Sequence, residues 1–310
     1  MYGKIDFEIK NNRTSFKFTL ERNITILNGN SATGKSTLID MVRSYEQEGG
    51  KSSVRLKCNK ECRVLEGREW SKILAGIHDS IVFIDEGNKF IKTTEFASML
   101  INSDNYYVIA TRDPLFNLPY SINSIFEIIT NGKKHTLKKT YEKISINDFS
   151  KAKYDLIITE DSKSGFEFFC EVSDSTISAD GKSNIIFKLK NHSDKNSLVV
   201  ADGAALGPEI ALLVQYKNKY DEKILLMIPE SFEWMILKSG LIQKDGLKEI
   251  LQNPSDYIYC EKYVSWERYF TDLLIDSTKD NALMRYDKGK LADYYKNSVN
   301  IQKILQSIKG

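Results

Sequence analysis

The stretch Ile24 to Val42 reads ITILNGNSATGKSTLIDMV. A short apolar run gives way to small residues and a lysine, and apolar positions then return at helical spacing. Within it, GNSATGKS (Gly29 to Ser36) follows the order G-x-x-x-x-G-K-S. That order has a physical reason. Glycines let the backbone curl so that successive N–H groups point inward at a phosphate. A helix beginning near Lys35 adds the positive end of its dipole. The Lys35 ammonium then reaches the outer phosphates of a nucleotide, and the Ser36 hydroxyl ligates Mg²⁺. The strand before the pattern and the helix after it supply the context it requires. Gly29, Asn30, Ser31, Ala32, Thr33, Gly34, Lys35, Ser36 and Thr37 are accordingly the expected nucleotide-contacting residues.

The 310 residues are 41% apolar and 28% charged, with a net charge of +2, ordinary values for soluble globular chains. Such a length accommodates one large domain or two of ordinary size. Near-neutrality excludes a global field for nucleic acid or membrane, though not local basic patches. No apolar stretch approaches the roughly 20 residues of a membrane span. MYGKIDFEIKNNRTSFKF lacks a signal-peptide core, so a cytoplasmic location without membrane contact is expected. Of the four cysteines, only Cys58 and Cys62 lie close together, in CNKEC. No second Cys or His pair follows at zinc-site spacing. Reduced thiols are the expected state.

KIDFEIK and SFKFTL alternate with period two around the turn NNR and read as a hairpin ahead of ITIL. SIVFIDEG and YYVIAT are apolar without alternation, as in strands buried on both faces. A helix is expected between them over TTEFASMLINS, and SIFEIIT and HTLKKTYE flank NGK as a closing hairpin. Near Ser150 the pattern restarts. Strands YDLIITED, STISA, SLVVADG and KILLMIPE alternate with helices GFEFFCEV, KSNIIFKLKNH and GPEIALLVQYKNKY. This order implies a second, mostly parallel sheet. From Ser231 onward the chain reads as largely helical and aromatic. The expected architecture is α/β, with one domain over 1–150 and a second over 151–310 that carries a helical C-terminal tail.

IVFIDEG ends in Asp85 and Glu86. Asp85, at the end of a buried strand, would hold the Mg²⁺ shell, and Glu86 would orient an attacking water. YYVIATRD resembles the strand that, in many P-loop ATPases, lies beside the Walker B strand and ends in a sensor of the γ-phosphate. Thr111 or Arg112 takes that role. The Walker A and Walker B patterns, the leading hairpin and the Asp-Glu pair make the first half resemble ABC-type and SMC-like P-loop ATPases. This resemblance implies ATP and Mg²⁺ as ligands, with Lys35, Glu86, and Thr111 or Arg112 as catalytic groups. One departure stands: the chain has no LSGGQ-like signature, so dimerisation driven by ATP in the ABC style is not implied. A nucleoside or metabolite kinase is the other P-loop possibility, but the chain has no Arg-rich lid and the Asp85-Glu86 pair suits hydrolysis better.

In the second half, polar residues fall at strand ends: Glu160 and Asp161 after DLIIT, Asp202 after SLVVA, and SFEW soon after ILLMI. Functional groups gather outside the carboxyl ends of open parallel sheets. Acids crowded there repel one another unless a divalent cation neutralises them. Glu160, the GKSN loop, Asp202 and SFE (Ser231 to Glu233) resemble the Toprim domain of topoisomerases, primases and OLD-family nucleases. The ATPase-then-Toprim order also resembles OLD-type proteins and related antiphage-defence systems. By that resemblance, Glu160, Asp202 and Glu233 are metal ligands for Mg²⁺ or Mn²⁺, and the substrate is DNA or RNA. The family's D-x-D motif reads DGA here, with Ala204 in place of the second Asp. Either Glu209 in GPE replaces the lost ligand, or the domain has lost cleavage and kept binding.

Two functional readings follow. In one, ATP hydrolysis controls a metal-dependent nuclease domain. In the other, a nucleotide-gated module docks a partner protein or nucleic acid through a degenerate Toprim surface. The family analogy also implies a homodimer or higher homo-oligomer. The aromatics of DYIYCEKYVSWERYF and YDKGKLADYYK are expected to pack on the sheet at helical spacing, with base stacking as the alternative. The basic runs GKKHTLKKTYEK and KNKYDEK read as solvated faces.

Overall fold

Alternation builds the first two strands. In β1 (Ile5–Lys10) the buried positions are Ile5, Phe7 and Ile9, and in β2 (Ser15–Leu20) they are Phe16, Phe18 and Leu20. The strands pair antiparallel with Phe7 opposite Phe18, and those rings stack at 4.8 Å. The structure, a computed structural model, describes residues 1–29, 33–220 and 223–308. It divides into two units, Met1–Tyr141 with Asn253–Val264, and Glu142–Gln252 with Ser265–Gly310.

In the first unit the chain continues through β3 (Ile24–Asn28), α1 (Lys35–Glu48), β4 (Arg55–Lys57), β5 (Glu61–Val64), α2 (Trp70–Ala75), β6 (Ser80–Ile84), α3 (Thr94–Ile101), β7 (Tyr106–Ala110), β8 (Ile125–Asn131) and β9 (Lys134–Lys139). Nine strands form one mixed sheet in the order β4-β1-β2-β9-β8-β3-β7-β6-β5. Every residue of β6 and β7 is buried, as their unbroken apolar runs predict. Parallel pairing aligns the carboxyl ends of β3, β7 and β6. Ala110 lies opposite Leu27, Ile109 opposite Ile84, and the Thr111 N–H donates to the Leu27 carbonyl at 3.2 Å. The strands at the two ends of the order, β4 and β5, are joined directly through residues 58–60. The sheet therefore curls enough to bring the end of β4 near the start of β5, although the two edge strands do not pair. Leu38, Ile39, Met41 and Val42 of α1 share a core cluster with Phe7, Ile9, Phe83 and Val108.

The second unit contains β10 (Leu156–Thr159), α4 (Ser164–Val172), β11 (Thr176–Ser178), α5 (Ile185–Asn191), β12 (Ser197–Val200), α6 (Gly207–Lys219), β13 (Ile224–Met227), α7 (Phe232–Lys238), α8 (Leu247–Gln252), α9 (Trp266–Thr278), α10 (Asp293–Lys296) and α11 (Ser298–Gln306). Its sheet is all-parallel, in the order β11-β10-β12-β13. Parallel pairing of this kind is what alternating strands and helices produce. Helices α9 and α11 pack against α7.

Two features differ from the sequence expectation. The division falls at residue 142, not 150, because the chain just after it is tied to β13: Ile146 N–H donates to the Leu226 carbonyl at 2.7 Å and Ile228 N–H to Ser145 Oγ at 2.8 Å. Residues 253–264, expected to be helical and part of the second domain, form only a short helical turn at Pro254–Asp256 and belong to the first unit. There the Cys260 N–H donates to the Met1 carbonyl at 3.0 Å, the Gly3 N–H donates to the Ser255 carbonyl at 2.8 Å, and the Tyr2 and Tyr259 rings lie 4.3 Å apart. No helix among the described residues is long and apolar enough to cross a membrane.

Candidate functional site

At the end of β3 the backbone turns through Gly29 and Gly34, whose φ values of 129° and 99° lie in the region that favours glycine. Helix α1 then starts at Lys35, and its first hydrogen bond runs from Leu38 N–H to the Gly34 carbonyl. The expected contacts Asn30, Ser31 and Ala32 lie outside the described residues. Lys35 is only 5% exposed, and its ammonium donates to the Gly29 carbonyl at 2.5 Å and to Thr33 Oγ1 at 3.4 Å. The lysine thus bends back across the loop that precedes its helix. Ser36 and Thr37 are exposed on the first turn of α1.

The register described above sets Asp85, Glu86, Thr111 and Arg112 at the same sheet edge as Gly29. Burial pushes the Lys35 ammonium below the ordinary lysine range; Glu86 opposes this most strongly, Arg112 reinforces it, and Asp85 opposes it less. All three charges therefore act on Lys35. Glu86 and Arg112 are also bonded to each other, from Nη2 to Oε1 at 2.8 Å and from Nε to Oε2 at 3.2 Å. Such two-point guanidinium–carboxylate contacts fix orientation as well as charge. Asp85 Oδ1 accepts the Glu86 N–H at 2.8 Å. Thr111, 4% exposed, spends its hydroxyl within its own turn, donating to the Asp113 carbonyl and accepting the Asp113 N–H. Of the two sensor candidates, Arg112 is the one in contact with another predicted catalytic residue.

In the second unit, a cavity of about 200 Å³ opens at the carboxyl ends of β10 and β12. Five carboxylates line it: Glu160, Asp161, Asp202, Glu233 and Glu267. Glu160 Oε2 accepts the Asp202 N–H at 2.9 Å, and Asp202 Oδ1 accepts the Phe232 N–H at the start of α7 at 3.1 Å. Asp161 accepts backbone N–H groups of Phe166 and Lys163 at the start of α4. A Cβ at Gly165 would stand 3.1 Å from Asp161 Oδ1, so glycine gives this close approach. Ser231 caps α7 by accepting the Trp234 N–H at 3.1 Å, which places Glu233 in the first turn.

Glu233 is 1% exposed. Its Oε1 accepts the Tyr286 hydroxyl at 2.8 Å, and Tyr286 also bonds Ser164 Oγ at 2.7 Å. Its Oε2 is buried without a hydrogen-bond partner. A buried carboxylate oxygen left in that condition is costly and calls for a partner. Lys288 stands 3.5 Å from Glu233 Oε1 and 2.6 Å from Glu267 Oε1. Burial alone would lower this lysine, but Glu233 and Glu267 more than offset it and hold the ammonium above its usual range.

Crowding perturbs the acids. Burial raises Glu160 to about 7; the Asp202 N–H opposes the shift, Glu267 adds to it, Lys182 opposes it and Asp161 adds to it. Asp202 is raised well above the carboxylate range, by burial first and then by Glu267, Glu160, Glu233 and Asp161. Glu209, considered above as a substitute for the missing aspartate, is engaged elsewhere: its Oε2 lies 3.2 Å from Lys182 Nζ, which also donates to the Ala205 carbonyl at 2.7 Å. Glu267 is the additional acid at the cavity. Sequence reasoning passed over it because Glu267 in SWERYF looks like any acid in the first turn of a surface helix. Lys288 was missed for a similar reason, lying in an irregular stretch between helices.

As the side chains stand, no three His, Cys, Asp or Glu residues among those described are grouped so that they could hold a metal ion. Several carboxylate oxygens are turned to backbone amides, so metal ligation by Glu160, Asp202 and Glu233 requires side-chain rotation. The orphaned Glu233 Oε2 is the oxygen already available for it. Neither a family model, nor a curated protein, nor a solved structure was found to match the chain.

Proposed function

We propose that the protein binds and hydrolyses ATP through the Lys35 loop, and that this activity controls a metal-dependent, Toprim-like site acting on DNA or RNA. The observation that carries this reading is the parallel register of β3, β7 and β6. It gathers the glycine turn, Asp85 and the Glu86–Arg112 pair around the buried Lys35 ammonium. Lys35 exchanges the Gly29 carbonyl for the β- and γ-phosphates, while backbone N–H groups of the loop face the phosphate oxygens. Ser36 and Asp85 are the residues that would hold Mg²⁺, which when bound neutralises phosphate charge. Glu86 accepts a hydrogen bond from the attacking water, and Arg112 fixes the orientation of its carboxylate.

In the second unit, Glu160, Asp202 and Glu233 would hold a divalent ion that neutralises phosphodiester charge. The buried Oε2 of Glu233 supports this assignment, because ligation would satisfy it. The test is a nuclease assay with Mg²⁺ or Mn²⁺ and ATP, comparing wild type with Glu160→Ala and Asp202→Ala. Cleavage lost in both variants is the expected result.

A second reading has its own observation. Lys288 already neutralises Glu233 and Glu267, and Ala204 stands where the family has an acid. On that reading the cavity is a degenerate, nucleotide-gated docking surface. Wild-type protein that cleaves no substrate under any nucleotide, yet binds Mn²⁺ no better than Glu160→Ala, favours it and refutes the nuclease.

A further inference from the structure

The bend that joins the two edge strands of the nine-stranded sheet carries a pair of thiols that neither candidate site uses. β4 ends at Lys57 and β5 begins at Glu61, so Cys58 and Cys62 flank the bend at Asn59 and Lys60. Both are free thiols. They differ in setting. Cys62 is 5% exposed and sits in the core cluster with α1, whereas Cys58 is half-buried and packs against the edge of that cluster. The Cys62 thiol donates to the Lys60 carbonyl at 3.7 Å inside the bend, and the two thiols are close enough to influence each other across it.

The neighbouring Cys62 thiol is the largest influence on Cys58. Burial opposes it, backbone N–H groups of Lys60 and Asn59 add to it, and the thiol comes down to about 7. Cys62 is pushed upward by the Cys58 thiol and by burial. An accessible thiol with thiolate character beside a protected partner is the arrangement of an attacking and a resolving cysteine.

We propose that Cys58 and Cys62 form a dithiol–disulfide redox pair, with Cys58 attacking a low-molecular-weight disulfide and Cys62 resolving the product. In the first step the Cys58 thiolate attacks one sulfur of RSSR. A Cys58–SR bond forms, the S–S bond breaks, and RS⁻ leaves. In the second, Cys62 loses its proton to solvent and attacks the Cys58 sulfur. The Cys58–Cys62 bond forms and a second RS⁻ leaves, so the protein is oxidised by two electrons and RSSR is reduced to two thiolates. The resulting bond staples β4 to β5 under α1, the helix that begins with Lys35.

The experiment treats the full chain with excess glutathione disulfide and follows intact and peptide masses. Wild type is expected to lose two hydrogens, with residues 58 and 62 cross-linked and no retained glutathione; dithiothreitol reverses the change. C62S should stop at a single glutathione adduct on Cys58, and C58S should react at Cys62 at least about tenfold more slowly than wild type reacts at Cys58. A stable mixed disulfide on Cys58 in the wild type overturns the proposal. So does a chain in which Cys170 oxidises while 58 and 62 stay reduced, or one that stays fully reduced.

Discussion

The two candidate sites meet charge in opposite ways. In the first unit a buried lysine, a glycine turn and a helix N-terminus face one another, while the acids Asp85 and Glu86 stay in contact with solvent. In the second, the acids are the buried partners and a lysine enters from outside the sheet to neutralise them. On the proposed function, the first arrangement would receive an anion and the second a cation. The difference lies in what each strand end is followed by. β3 runs into a stretch whose sequence is mostly glycine and small residues, followed at once by the helix that Lys35 opens. β10 and β12 run into acids whose oxygens cap the helices and loops beside them, so their negative charge is crowded by the fold itself.

The largest expected effect breaks the anion site. Glu86→Gln should lower the ATP hydrolysis rate by about 10² to 10³ while leaving ATP affinity within a few-fold, since it removes a water-orienting group and not a phosphate contact. An unchanged rate removes Glu86 from the chemistry. Next, Lys35→Ala should weaken ATP binding by roughly a hundredfold, by loss of a charge-assisted contact to phosphate. Titration calorimetry reads this directly, and unaltered affinity refutes the phosphate assignment.

Lys288→Met tests the cation site. Removing one partner of a buried ion pair costs about 3 kcal/mol, so chemical denaturation should show a loss of that order. Mn²⁺ should recover part of it if the acids bind metal, and none if Lys288 is the cavity's permanent cation. The smallest effect concerns pH. Glu160 titrates near 7 in the folded chain against an ordinary 4.5, so between those values the folded state holds a proton that the unfolded chain has released. Stability contributed by the protonated carboxyl is therefore present below 4.5 and lost as pH rises through 7. Glu160→Gln should flatten that slope and stabilise the protein at pH 8 by about 2 kcal/mol. A wild-type profile that rises across the same window contradicts the assignment.

Much of the first site was legible because its causes are local. The run from Ile24 to Val42 specifies a strand, a tight turn and a helix by neighbours in sequence, and β6 and β7 announce their burial by unbroken apolar runs from Ile81 to Ile84 and from Tyr106 to Ala110. The parallel strands of the second unit were legible for the same reason. What stayed hidden depends on distant packing. Glu267 reaches the cavity only because α9 packs on α7, and Glu209 is removed from it only because Lys182, on another loop, claims it. Residues 253–264 have helical aromatic spacing, yet Pro254 and partners at Met1, Gly3 and Asn105 draw them into a different setting.

That return strand of contacts governs the order in which the molecule can be made. A growing chain emerges from the ribosome amino end first, yet the carbonyl of Met1 and the amide of Gly3 find their partners only when Cys260 and Ser255 arrive. By then the whole of the second sheet, which ends with β13 at Met227, has been translated. The amino-terminal half cannot be finished as an independent module ahead of the rest, and no single proteolytic nick frees either half with its own interior complete.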